Sequence, residues 1–169
     1  MIVKELLLED NYKILLEYDE DIDYYTQCKI ILDNGKKKYV LIKDNILYFK
    51  NLFCQFLYND KSYQLDTRID ENDLAILYIK YIKYIMYGKK DKDLIIEEQN
   101  WIGEKYICFE TRKYITWFFY KQNDICIKVT RNTKLAKFKI FRRDIGFINF
   151  SKAQYVCWVN EIQRLSQMI

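Results

Sequence analysis

Apolar residues recur along this chain with two periods, two-residue alternation near the start and again after residue 105, and three-to-four spacing in the stretches beginning at residues 45, 70 and 151. The alternating stretches at 12–18, 24–32 and 37–43 predict strands, while 2–8 fits either a strand or a helical turn. Between the second and third, Asp33-Asn34-Gly35-Lys36 contains the Asn-Gly pair of a type I′ turn. A two-residue register there sets Ile30 opposite Tyr39 and Cys28 opposite Leu41. The other face mixes Lys29, Ile31, Lys38 and Val40, which predicts partial cover.

Helix signals punctuate the remainder. Asn45 is placed to cap a helix with Ile46, Phe49, Leu52, Phe53, Phe56 and Leu57 on one face. Asp70 is placed to cap a second, with Asp73 at its third position, Ile69 and Leu74 as a hydrophobic staple, and Gly88 ready for a left-handed cap after Tyr87. Lys80 and Lys83 are its lone polar pair, so most of its circumference is expected to be buried. The third runs from Ser151 to about Met168, with a Ser151/Gln154 capping box, a Phe150–Tyr155 staple and the stripe Tyr155, Trp158, Ile162, Leu165, Ile169. Strands are predicted at 93–98, 105–111, 114–120, 124–130 and 134–142. Both faces of Tyr114-Ile-Thr-Trp-Phe-Phe-Tyr120 are apolar, as in a central strand covered on both sides. The expected fold is one α+β domain over residues 1–169, an antiparallel sheet of about five to seven strands with three helices packed around it.

Composition narrows the chemistry. The 169 residues are 50% hydrophobic and 31% charged, those of a folded chain, and include no histidine and no proline. Without imidazole, Ser-His-Asp and Cys-His catalysis and His-ligated zinc are excluded. Cys28, Cys54, Cys108, Cys126 and Cys157 are at least 18 residues apart, so no Cys-x-x-Cys motif exists, and they read as reduced core thiols. The opening residues lack the apolar run of a secretion signal, and the stretch 74–87 contains Lys80 and Lys83, too short and too charged to cross a bilayer. A cytoplasmic protein with no membrane partner is expected. Lysine outnumbers arginine 22 to 6, a bias of AT-rich coding that accounts for much of the tyrosine as well.

The net charge of +4 hides two poles: nine acids against three bases in the first 34 residues, and eleven bases against two acids over 111–152. The acidic pole is densest at Glu17, Asp19, Glu20, Asp21 and Asp23, with Tyr18, Tyr24 and Tyr25 beside it as interface anchors. The basic pole contains a predicted hairpin turning at Asn132-Thr133, in which Lys128 faces Lys137 and, with Lys139 and Arg143, forms a basic face opposite an apolar one. Gly146-Phe-Ile-Asn-Phe150 is similar to part of the aromatic strand of RNA-recognition modules but lacks its second small residue. Adjacent Glu97 and Glu98 point to opposite faces if they lie on a strand, Glu104 and Glu110 belong to no known motif, and no phosphate-binding glycine loop occurs. The chain is therefore read as no enzyme, with no metal and no cofactor.

In layout the chain resembles bacterial polymorphic-toxin immunity proteins, including those of contact-dependent growth inhibition. The likeness rests on Ile42-Lys-Asp-Asn-Ile-Leu-Tyr-Phe-Lys-Asn-Leu-Phe53, a strand leading into an amphipathic helix, and on Asn100-Trp-Ile-Gly-Glu-Lys-Tyr-Ile-Cys-Phe109, a Trp-led turn opening a meander. It covers about two thirds of the chain. The resemblance implies a cytoplasmic inhibitor that occludes a toxin domain through a charged face, the acidic cluster being preferred. The alternative is a nucleic-acid-binding accessory or phage-encoded protein using Lys128, Lys137, Lys139 and Arg143.

Overall fold

The computed structural model describes residues 1–9, 11–132 and 144–169. The chain forms β1 (Ile2–Glu9), β2 (Tyr12–Tyr18), β3 (Gln27–Asp33) and β4 (Lys38–Asn45), then α1 (Ile46–Tyr58) and α2 (Leu74–Tyr87). A short hairpin of β5 (Ile96–Glu97) and β6 (Asn100–Trp101) follows, then β7 (Ile107–Glu110), β8 (Tyr114–Lys121), β9 (Asp124–Arg131), β10 (Asp144–Ser151) and α3 (Lys152–Ser166).

The fold is α+β, but the strands do not form the single sheet of five to seven expected. Among the described residues they form two four-stranded antiparallel meanders, β1-β2-β3-β4 and β10-β9-β8-β7, and the two-stranded β5-β6. Within each meander every strand pairs with its sequence neighbour, and α1, α2 and the small hairpin separate the two meanders in the chain. Each meander runs without a loop into a capped helix. Asn45 closes β4 and accepts the Tyr48 amide at 2.8 Å, and Ser151 closes β10 in a capping box with Gln154. The chain thus uses one four-strand-then-helix plan twice, with no repeat in its sequence.

The main core joins one face of each meander to α1 and α3. Ile14, Leu16, Ile30 and Leu32 come from the first sheet, Phe118, Ile127 and Ile148 from the second, and Phe49, Phe53, Tyr155 and Trp158 from the helices. Tyr155 Oη donates to the Phe53 carbonyl at 2.7 Å and Tyr120 Oη to that of Phe56 at 3.2 Å, so buried hydroxyls find acceptors on α1. At Gly146 a Cβ would lie 2.8 Å from Leu32 and 3.0 Å from Tyr12, so the close approach of β10 to the first sheet requires glycine.

A second core lies on the outer face of the second sheet. Ile115, Trp117, Phe119 and Cys126 meet Leu74, Leu77, Tyr78 and Tyr81 of α2, with Trp101 from the hairpin. This accounts for β8, whose residues from Ile115 to Tyr120 are all buried.

Several local expectations are corrected. The first hairpin turns on Gly35-Lys36, with Gly35 at φ 75° and the Asn34 amide donating to the Lys37 carbonyl. Asn34 Oδ1 accepts the Lys37 amide at 2.9 Å and Asp33 the Gly35 amide at 2.9 Å. Leu32 therefore pairs with Tyr39 and, beyond a bulge, Ile30 with Ile42. Helix α2 begins at Leu74 with Asp73 as its cap residue, since Asp70 spends its carboxylate on the Asn72 amide in a preceding turn. Its buried residues are only Leu74, Leu77, Tyr78 and Tyr81, a stripe instead of most of the circumference. The predicted strand 93–98 shrinks to β5. The predicted strand 134–142 lies outside the described residues, and β10 is a strand the pattern reading did not assign.

Candidate functional site

The acidic cluster forms the loop 19–26 between β2 and β3, and its members divide into scaffold and surface. Tyr18, the last residue of β2, is 5% exposed and belongs to the main core, so it is no interface anchor. Glu17 points to the other face, where Lys29 of β3 pairs with it across the ladder. Asp23 is the loop's internal brace. Its carboxylate accepts the Thr26 hydroxyl at 2.7 Å and the Tyr25 amide at 2.9 Å, and these bonds, that of Thr26 foremost, hold its pKa below the usual value. Ile22 is half-buried against the main core and fastens the loop from within.

What remains is a surface of Asp19, Glu20 and Asp21, exposed and, among the described residues, with no ion pair and no hydrogen bond to their carboxylates, beside Tyr24 at 60% and Tyr25 at 87% exposure. At its foot lies a hollow of about 120 Å³ lined by Met1, Glu17, Asp19, Gln27, Lys29 and Lys43. A run of three solvated carboxylates on a braced turn, flanked by two aromatic rings, has the parts of a protein contact: charge for encounter and rings for buried area.

The basic residues of the alternative reading fare differently. Lys128 is 1% exposed, on the face of β9 that carries Cys126 and Thr130, opposite Trp117 and Phe147 in register. Its ammonium lies 3.0 Å from the Asp144 carboxylate. β9 is therefore buried on both faces, which corrects the expectation of a basic face opposite an apolar one, because α2 and the small hairpin supply a second core there. Lys137, Lys139 and Arg143, and the pairing of Lys128 with Lys137, lie outside the described residues. Of the RNA-like stretch, Phe150 is a core residue and Phe147 is 39% exposed.

A further cleft, of about 480 Å³, lies between the small hairpin and the segment before α2, lined by Asp66, Glu97, Glu98, Asn100, Trp101 and Lys105. Arg68 bridges its walls, reaching Asp66 at 2.7 Å and Glu97 at 2.9 Å. The Arg68 side chain holds the Asp66 carboxyl at about 2, so it has no proton to give at neutral pH. Glu98 and Gln99 turn the hairpin with φ 49° and 71°, so Glu97 and Glu98 do not share a strand. Glu110 accepts from Tyr78 Oη at 2.8 Å and from Asn132 Nδ2 at 3.0 Å, and Glu104 from Tyr81 Oη at 3.4 Å. The sequence reading missed Arg68 altogether. Its partners stand 2 and 29 residues away, and only the near one leaves a local signal.

Among the described residues no group of three or more Cys, Asp and Glu is arranged to hold a metal ion, and no helix is long and apolar enough to cross a membrane. The five cysteines are unpaired; Cys28, Cys108 and Cys126 are buried, Cys54 half-buried and Cys157 exposed. Comparison with protein-family models, curated proteins and solved structures yields no match.

Proposed function

We propose that this chain is a non-enzymatic inhibitor of the immunity type, acting in the cytoplasm by seating the loop 19–26 in the basic, phosphate-binding cleft of a toxin domain. One observation carries the reading: Asp19, Glu20 and Asp21 stand exposed, and unpaired among the described residues, on a turn braced by Asp23 and Thr26, with Tyr24 and Tyr25 exposed beside them. Carboxylates at successive positions imitate the charge of a phosphate backbone, and a braced turn loses little freedom on docking. Glu17 and Tyr18 support the loop from below, through Lys29 and the main core. The basic alternative is the weaker one, because Lys128 is already buried and paired.

The test is to sequence the neighbouring gene for a toxin domain and to measure binding to its product by calorimetry, with D19K/E20K/D21K and Tyr25→Ala; a neighbour that the parent chain does not bind would also overturn the reading. The triple reversal is expected to weaken binding by at least about a hundredfold and Tyr25→Ala by about tenfold. Undiminished binding by the triple variant would overturn the reading.

A further inference from the structure

The end of α2 is a second surface, independent of the acidic loop. Its buried stripe stops at Tyr81, and of the last six residues, about 9 Å of helix, only Ile82 and Tyr84 still pack against the second core. Ile82 and Tyr84 are half-buried, and then Ile85, Met86 and Tyr87 are 59%, 64% and 73% exposed. Three successive residues sweep about 200° around a helix axis, so these apolar side chains form a tip and not a stripe. Gly88 closes it in the left-handed conformation, its amide bonded to the Tyr84 carbonyl at 2.7 Å.

Charge says what the tip meets. Lys83, Lys89, Lys90 and Lys92 surround it in the chain, exposed and, among the described residues, with no ion pair. The two acids nearby offset them only in part, because Asp91 and Asp93 share Lys80, at 3.0 and 2.5 Å, which leaves one surplus negative charge against the four lysines. An apolar, convex end bearing Ile, Met and Tyr within a lysine collar matches the layers of an anionic bilayer surface. Aliphatic side chains enter the acyl boundary, the phenol sits among headgroups, and ammonium groups meet lipid phosphates. A protein partner would have to provide a cup shaped to the tip, whereas a bilayer accepts it in any rotation about its normal.

We infer that the Ile85-Met86-Tyr87 tip of α2, with Lys83, Lys89, Lys90 and Lys92, is a docking point for anionic lipid surfaces. The contact is peripheral and needs no spanning helix.

The experiment is co-sedimentation of the full chain with vesicles of phosphatidylcholine containing about one third phosphatidylglycerol, against phosphatidylcholine alone. Binding is expected to the first and to fall at least about tenfold on the second. K89E/K90E/K92E and I85S/M86S should each lose at least about tenfold; both change exposed residues, and an unchanged thermal midpoint verifies their folding. Tyr87→Trp adds a depth readout, since Trp101, Trp117 and Trp158 are all buried. Its emission should shift to the blue on anionic vesicles and be quenched by brominated lipid. The proposal falls if the anionic vesicles are not bound or if I85S/M86S binds like the parent chain, which is adsorption by charge alone. It falls equally if polyglutamate is retained through the same lysines while vesicles are not, which makes the surface a protein contact.

Discussion

Lys128 and Asp144 join β9 to β10 across a bulge, with the ammonium almost wholly buried and the carboxylate 46% exposed, 3.0 Å away. The pair sits where the outer face of the second sheet meets solvent, so Asp144 is wetted while Lys128 is not. Removing the acid leaves a buried charge without its partner. Asp144→Asn should therefore destabilise by about 3 kcal/mol, whereas Lys128→Met, which removes the buried charge and keeps the bulk, should cost less than about 1 kcal/mol. Urea unfolding of both variants measures the difference. Equal losses would show that the side chain's packing, and not its charge, matters at this site.

Trp158 anchors the terminal helix. Its ring centroid lies 4.7 Å from that of Phe53, 5.6 Å from Tyr155 and 6.2 Å from Phe150, joining α3 to α1 and to β10. Trp158→Ala should lower stability by about 3–5 kcal/mol. A loss below about 1 kcal/mol would mean that α3 is peripheral.

Gly103 tests the second core. A Cβ there would lie 2.3 Å from the ring of Trp101, itself 1% exposed and packed on Tyr78, Tyr81 and Trp117. Gly103→Ala should displace the indole and cost about 1–3 kcal/mol, with a red shift of tryptophan emission. The double variant with Trp101→Ala should recover that increment, because the clash is with one ring.

The thiols should react in order of exposure. Cys157 is on the surface and Cys54 half-covered, while burial pushes Cys28 up to about 11 and Cys126 up to about 12 and raises Cys108 as well. In native protein a thiol reagent should modify Cys157 first and Cys54 more slowly, and all five residues should react in denaturant. Fewer than five in denaturant would contradict the unpaired state.

Acid should weaken the contact between α3 and β1. The Arg164 side chain, then burial in the opposite sense and Lys4, set the Glu161 carboxyl at about 2 instead of the usual 4.5. A depressed folded pKa gives stability that is complete above about 4.5 and lost as the pH falls toward about 2. Glu161→Gln should cost about 0.5–1 kcal/mol at neutral pH, and the two proteins should converge near pH 2. Parallel curves across that range would remove Glu161 from the acid transition.

The sequence by itself determined the local pieces. Asn45 and the Ser151/Gln154 box start α1 and α3 where predicted, Gly88 ends α2 where predicted, and 12–18, 114–120 and 124–130 are strands, because caps and two-residue alternation act within a few residues. The identity of the exposed acids in the loop 19–26 was also legible, as a polar run between apolar strands. Tertiary structure decided the rest. Whether the strands make one sheet or several depends on which edges find partners, and alternation does not encode that. Tyr18 and Lys128 change meaning for the same reason: a ring beside an acidic run is drawn into the core by β2's inward face, and a lysine on an apolar strand is buried because a second core covers it. Arg68 joins Asp66 to a glutamate 29 residues away, and Ile85, Met86 and Tyr87 at the end of α2 are exposed because the second core's packing ends with Tyr84. These are relations between distant segments, fixed only when the chain packs.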